Sequence, residues 1–352
     1  MKYPRLQNFQ DLLPELQEFS TIIDVRSPGE FAEDHIPGAI NCPVLDNAER
    51  IQVGTLYKQV GAFEAKKVGA ALVAKNIGRH IEAHFTDKEK DWRPLVYCWR
   101  GGNRSGSMAH ILAKIGWRVD QLEGGYKDYR RYVNLALPVL ASHTQWRVIC
   151  GTTGSGKSHL LQSLEKHGAQ VLDLEALAAH KGSVLGHLPQ QAQPSQKMFE
   201  SLLWEQLRWF DQTRPVFVES ESKKVGNLRV PEEIINGMRG SPCITLELSL
   251  EQRINLLMRD YAHFVVAPEA LNVQLDCLVS LHGKEKIHMW KQLALAGRME
   301  ELVGILLEKH YDPSYTRSIN KNFLQMNNAS VITQEGITEA DFARTASALL
   351  AQ

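Results

Sequence analysis

A chain of 352 residues is long enough for about two domains of ordinary size. Its 40 basic and 40 acidic residues cancel, so bulk charge gives no support for a nucleic-acid partner, although a local basic patch would suffice for one. No apolar run reaches the roughly 18 residues of a membrane span, and the polar, acidic N-terminus lacks the apolar stretch of a signal peptide. The expected location is therefore the cytoplasm, with no membrane partner. Cysteines stand at 42, 98, 150, 243 and 277, an odd number at wide spacing with no CxxC, which argues against a disulfide framework and against structural zinc.

The N-terminal half alternates strand and helix signals. "TIIDVRS" (21–27) and "PLVYCW" (94–99) read as strands. "SGSMAHILAKIG" (105–116) has helical spacing and stops at a glycine, and "WRVDQLEGG" (117–125) reads as strand and turn. "ALPVLASHTQ" (136–145) has a proline and no clear period. The expected organisation is a first domain over 1–137, a linker over 138–145, and a second domain over 146–352. That second domain restarts with strand, glycine loop and helix in "WRVICGTTGSGKSHLLQSLEKHG", followed by strands at 169–174, 215–220 and 242–249. An amphipathic helix is expected at 250–262 and mostly helical structure at 263–312. A closing helix would have Thr338 as its N-cap. Alternating strands and helices imply an α/β fold with a parallel sheet in each half and a helical C-terminal region.

"VYCWRGGNRSG" (96–106) places Cys98 before a loop rich in glycine. A thiolate needs a site that stabilises negative charge. Arg100, Gly101, Gly102, Asn103, Arg104 and Ser105 could form one, with backbone N–H groups, a helix N-terminus and two guanidinium groups turned on a tetrahedral anion. Cys98 is the catalytic candidate. Cys150 and Cys243 sit in apolar, strand-like runs and read as buried small hydrophobes.

"GTTGSGKS" (151–158) fits the phosphate-loop pattern without a mismatch. Gly151, Thr152, Thr153, Gly154, Ser155 and Gly156 would wrap a diphosphate, Lys157 would reach its oxygens, and Ser158 could hold Mg²⁺. Glu219 in "VFVES" and Glu221 two positions on, and more weakly Asp173, are candidate Mg²⁺-associated acids, although exposed acids at a strand end would look the same. The motif announces a diphosphate without saying that it belongs to a nucleotide.

"IIDVRSPGEFAEDHIPGAINCPV" (22–44) together with the cysteine loop resembles a rhodanese domain. The resemblance implies that Asp24 and Arg26 support the active-site loop, as catalytic groups or as a buried scaffold together with His35. Five residues separate Cys98 from Arg104, one more than in the usual sulfurtransferase loop. That spacing is similar to the loop of cysteine phosphatases and suits a phosphate-like ligand.

The order of the two halves, with "LEGGYKDYRRYV" (122–133), "LDLEALAAHKGSVLG" (172–186) and "FVESESKKVGNLRVPE" (217–232), resembles the tRNA 2-selenouridine synthase family over essentially the whole chain. The resemblance implies a transferase that replaces sulfur by selenium in wobble 2-thiouridine of tRNA. Selenophosphate would be the selenium donor, and S-geranyl-2-thiouridine, made from geranyl diphosphate, the intermediate. It also implies a partner enzyme that supplies selenophosphate. Cys98 would attack the selenium or help deliver it, and the P-loop would hold the prenyl diphosphate. Lys223, Lys224, Arg229, Lys284, Lys286 and Trp290 are candidate tRNA contacts, the tryptophan by stacking on a base; a solvated helix face is the plain alternative for each segment. Three rival readings stay open: a rhodanese-type cysteine phosphatase, a sulfurtransferase with a regulatory P-loop domain, and a nucleotide-switched RNA-binding module.

Overall fold

The β-branched and apolar runs of the N-terminal half become short strands: β1 (Arg5–Gln7), β2 (Thr21–Asp24), β3 (Ile40–Asn41), β4 (Pro94–Tyr97) and β5 (Asp120–Leu122). All pairings are parallel, in the order β1-β5-β4-β2-β3. The structure is a computed structural model and describes residues 3–351 except Gly101, Val184 and residues 187–190. β4 lies in the middle and is buried throughout, as a continuous apolar strand in a parallel sheet requires. The helix Asn103–Ile115 follows it and buries Met108, Ala109, Leu112 and Ala113. It ends at Gly116, whose φ of +122° disfavours any side chain.

Two boundaries differ from the sequence reading. The proposed linker 138–145 is helical to His143, because one helix runs Gly125–His143 with Pro138 inside it. Tyr129, Val133, Leu137 and Ala141 recur at every fourth position and are all buried. That stripe outweighs the roughly 3 kcal/mol cost of an internal proline. The chain also divides into two compact units that are not simple halves. One holds the residues up to Leu137 together with Pro194–Glu205; the other holds Pro138–Gln193 and the residues from Gln206 onward. The helix Gln196–Leu207 therefore contributes most of its length to the first unit. Trp204, 1% exposed, packs against Phe9 and Tyr129 with ring centroids 5.7 and 5.8 Å away. Ser201 Oγ donates to the buried Asp34 carboxylate at 2.8 Å.

The second unit is built on β6 (Trp146–Cys150), β7 (Gln170–Leu172), β8 (Val216–Glu219), β11 (Cys243–Glu247) and β12 (Ser330–Thr333), all parallel, in the order β12-β11-β6-β8-β7. A two-stranded antiparallel hairpin, β9 (Lys224–Val225) and β10 (Leu228–Arg229), follows β8. The chain leaves β6 toward one edge and later returns to its other side, so the C-terminal end of β6 is a switch point where open α/β sheets bind ligands. Leu160, Leu161 and Leu164 of the helix Lys157–Lys166 share a core with Phe342, Ala346 and Leu349 of the closing helix Glu339–Leu350. Thr338 caps that last helix, accepting from Asp341 N–H, as expected from the sequence. Short helices from Ala262 to Asn322 enclose a separate apolar core. Among the described residues no helix is long and apolar enough to cross a membrane.

The inserted helix is predicted to be essential to the first unit. Trp204→Ala should destabilise it by about 3–5 kcal/mol, seen as a lower urea midpoint of the full chain monitored by tryptophan fluorescence. A midpoint within error of the wild type would contradict the packing described.

Candidate active site

Cys98 follows directly on β4 and is 3% exposed. Ser105 Oγ donates to its Sγ at 3.3 Å, and Gln121 Nε2 from β5 donates to Ser105 Oγ at 3.1 Å. Burial opposes ionisation of the thiol, but the Ser105 hydroxyl and N–H, the Arg100 N–H and the Arg104 charge outweigh it. The Cys98 pKa is net lowered, as a nucleophilic thiolate needs. Gly102 is the N-cap of the following helix, so Asn103, Arg104 and Ser105 lie in its first turn. Gly101 lies outside the described residues. Arg100, Gly102 and Asn103 are exposed at the mouth.

Arg104 is not simply turned on the cysteine. Its guanidinium grips Glu30 at 2.8 and 3.2 Å, using two of its five N–H donors. Burial works against the Glu30 charge, yet the Arg104 bonds and the Ser27 N–H bring its carboxyl down to about 2. Asp24 and Arg26 form a buried ion pair at 2.6 Å. Arg26 also donates to the Asp34 carbonyl at 2.5 Å and lies 4.0 Å from the centroid of the Tyr126 ring. Both side chains are thus committed to each other and to buried neighbours. His35 is half-buried, stacked on Phe31 and bonded to its carbonyl at 2.9 Å.

In the second unit the residues of "GTTGSGKS" form a wrapped loop after β6. Gly151, Gly154 and Gly156 all have positive φ. A Cβ on Gly156 would sit 2.6 Å from the Phe342 ring. Lys157 Nζ donates to the carbonyls of Gly151 and Thr152 at 3.0 and 3.3 Å. Arg253, buried, donates from Nε and Nη2 to Thr153 O at 2.9 and 2.8 Å and pairs with Asp312 at 2.6 Å. Ser155 Oγ and Thr153 Oγ1 are buried with no hydrogen-bond partner among the described residues.

Glu175, Glu219 and Glu221 converge beside this loop, each offering a carboxylate oxygen within 4.8 Å of the others. Ser158 Oγ donates to Glu175 at 3.2 Å. Burial first, then the Glu221 charge, pushes the Glu175 carboxyl up to about 8 against the pull of Lys157. Burial and the neighbouring acids raise Glu219 well above its ordinary value, and burial raises Glu221. Glu219 Oε1 is buried without a partner among the described residues. An all-oxygen set of buried acids with an orphaned oxygen fits a hard divalent cation such as Mg²⁺, with Glu175, Glu219, Glu221 and Ser158 to hold it. Asp173 instead caps the helix Leu174–Leu177 through Ala176 N–H at 2.8 Å. Glu175, two residues beyond Asp173 in "VLDLE", is the acid that the sequence reading passed over.

Two pockets adjoin here. The polar one, lined by Lys157, Ser158, Glu175, Lys181 and Tyr315 among others, has about 520 Å³ of empty space. The apolar one, about 560 Å³, is lined by residues such as Leu185, Met258, Phe264, Met299 and Leu306. Thr153, Ser183, Leu257 and Tyr261 line both. Lys223, Lys224 and Arg229 are exposed on the β9–β10 hairpin, and Lys284 and Lys286 are exposed on the helix Lys284–Leu295. Trp290 on that same helix is a correction: it is 2% exposed within the apolar helical core and unavailable to stack on a base.

Comparison with known proteins finds a family for each half of the chain. A family model described as a rhodanese-like domain matches residues 7–132, and one described as a tRNA 2-selenouridine synthase AAA domain matches residues 144–274. A protein from Cupriavidus necator named tRNA 2-selenouridine synthase is 35% identical, covering 86% of this chain and 91% of its own length. One of the same name from Nitrosomonas europaea is 36% identical over 68% of this chain and 63% of its own length. The match thus spans slightly under two thirds of that second relative. A solved rhodanese-related protein from Thermoplasma volcanium aligns at 21% identity over 36% of this chain and 92% of its own, with a TM-score of 0.25.

The carboxylate cluster sets a pH signature. Glu175 takes up its proton at about 8 in the folded chain against an ordinary 4.5, so between these values the folded state binds more protons than the unfolded one. His80, His263, His282 and His310, all lowered by burial from an ordinary 6.5, act oppositely below that value, so without divalent cations the melting temperature should fall as pH rises from about 6.5 to 8. Glu30, held down at about 2, acts with the opposite sign and only below that window. Added Mg²⁺ should restore the melting temperature at the alkaline end, and Glu175→Gln should weaken both effects, leaving the share of Glu219 and Glu221. A wild-type melting temperature that ignores Mg²⁺ there would exclude the cation site.

Proposed function

The chain belongs to the tRNA 2-selenouridine synthase family, and from that premise we propose that it exchanges sulfur for selenium in wobble 2-thiouridine of tRNA through an S-geranyl intermediate. The observation that carries the prenyl step is the apolar pocket sharing Thr153, Ser183, Leu257 and Tyr261 with the P-loop pocket. A nucleotide has no use for such a wall, whereas a prenyl diphosphate has one anionic end and one hydrocarbon end. The diphosphate lies in the loop 151–158, and the geranyl chain lies among Leu257, Met258, Phe264 and Leu306.

A bare C=S is a poor leaving group, and alkylation converts it into a departing thiolate. The thiouridine sulfur forms a bond to the allylic carbon of geranyl diphosphate. The carbon–oxygen bond breaks with its electron pair on the diphosphate, and the base loses its N3 proton to solvent. Lys157 and the loop N–H groups stabilise the charge that develops on the departing oxygen. A magnesium ion held by Glu175, Glu219, Glu221 and Ser158 would screen the diphosphate charge. The apolar wall excludes water that would otherwise hydrolyse the donor.

The selenium step belongs to the Cys98 loop. Its lowered thiol pKa and first-turn N–H groups suit a nucleophile facing a tetrahedral anion. Sγ attacks the phosphorus of selenophosphate, an S–P bond forms, and the P–Se bond breaks with its electron pair on hydroselenide. Water later hydrolyses the S–P bond. Hydroselenide adds at C2 of the alkylated base, and geranylthiolate leaves with its bonding pair. Arg100 and the donors of Arg104 not committed to Glu30 orient the phosphate. The exposed Lys223, Lys224, Arg229, Lys284 and Lys286 contact tRNA phosphates. A cytoplasmic location and a selenophosphate-supplying partner enzyme complete the reading.

Mass spectrometry of nucleosides from thiolated tRNA incubated with geranyl diphosphate and selenophosphate tests this. Wild type should yield 2-selenouridine, Cys98→Ser should stall at S-geranyl-2-thiouridine, and Lys157→Ala should leave 2-thiouridine. Unchanged 2-thiouridine with wild type would remove the assignment and bring the phosphatase and sulfurtransferase readings forward.

A further inference from the structure

A third cavity in the second unit, about 980 Å³, has Glu221 of the carboxylate cluster in its wall and is filled by neither the diphosphate nor the geranyl chain in this reading. Its walls are partly aromatic, from Tyr315 and Phe323, and partly polar, from Arg239, Ser318 and Asn322. Ser183 lines all three cavities, so each of them borders that residue. Prenyl transfer needs the acceptor sulfur at the junction between the diphosphate end and the hydrocarbon end of the donor, and an acceptor in the third cavity has its reacting edge there.

The lining matches a nucleobase. Flat aromatic walls accommodate a ring, and peripheral amide and guanidinium groups read its edge. Arg239 lines the cavity, and its Nε is itself buried with no hydrogen-bond partner among the described residues, so a pyrimidine carbonyl would be met by the terminal N–H groups of the guanidinium. Asn322 uses its amide nitrogen on Ser318 at 2.8 and 3.2 Å, which fixes the side chain in place. The rim is cationic: Lys223 and Lys224 follow Ser222 of the lining and are exposed, and exposed Lys321 adjoins Asn322. These lysines suit the phosphates flanking a base turned out of its strand.

We propose that this cavity, between Arg239, Ser318, Asn322, Phe323 and Tyr315, holds the acceptor pyrimidine of the tRNA flipped out of its loop, with its thiocarbonyl edge toward Ser183. The proposal rests on the prenyl-transfer reading of the P-loop unit and extends it to the second substrate.

Two measurements test it separately. The first uses an anticodon stem-loop with a photoreactive thiouridine at the wobble position, irradiated on the full-length protein, with the cross-linked peptide mapped by mass spectrometry. Attachment within residues 312–323 is expected, and attachment confined elsewhere would overturn the proposal whether or not transfer occurs. The second compares geranyl transfer by wild type, Arg239→Gln and Ser318→Trp. Ser318 is exposed, so filling the cavity from that position spares the fold. Both variants should raise the KM for the thiolated stem-loop by roughly tenfold or more and leave the KM for geranyl diphosphate within about twofold. An unchanged stem-loop KM in both would sink the proposal. A wild-type protein that cross-links as expected but transfers nothing would defeat the prenyl-transfer reading and leave the base site standing.

Discussion

Three buried carboxylates next to one lysine set the terms of the P-loop unit. Glu175, Glu219 and Glu221 cannot all carry charge in a desolvated corner, which is why their protons are held so tightly. A divalent cation held by the three acids would relieve that repulsion, and Lys157 would be left to face an anionic ligand. The loop is held ready for this by groups far away in the chain. Arg253 ties Thr153 to Asp312, and Phe342 of the last helix occupies the space that only a glycine at 156 leaves. The helical C-terminal region is thus part of the site: it supplies Asp312, Tyr315 and most of the hydrocarbon wall.

The cysteine loop solves a different problem. A thiol buried beside a central strand would ordinarily resist ionisation, and four nearby donors and charges reverse that. Arg104 is shared between the loop and Glu30, so its orientation is set before any anion arrives. Glu30 belongs to a capping box at the start of the helix Pro28–Glu33, which couples the arginine to the rhodanese-like scaffold rather than to solvent.

Much of this was legible in the sequence, and the exceptions share a cause. The strands around Cys98 and the P-loop follow from short apolar runs, and the glycines that demand positive φ appear as motif letters. Both parallel sheets follow from the alternation of elements. What was not legible depends on contacts between residues distant in the chain. Pro138 looked like a break because its cost is local, while the stripe from Tyr129 to Ala141 that outweighs it is buried by the fold. The Gln196–Leu207 helix joined the first unit through Trp204 and Ser201, which no local pattern announces. Trp290 looked like a stacking residue among cations, yet a helix with lysines on one face buries its aromatic on the other. Glu175 was passed over because a lone acid after a strand resembles any helix start until Glu219 and Glu221 are seen beside it.

Whether the P-loop prefers a prenyl diphosphate to a nucleotide is read by calorimetric titration of the full chain in Mg²⁺ with geranyl diphosphate, ATP and GTP. Geranyl diphosphate should bind, inorganic diphosphate should compete with it, and the nucleotides should bind at least about tenfold more weakly, a difference of about 1.4 kcal/mol. Tight nucleotide binding that geranyl diphosphate fails to displace would contradict the account.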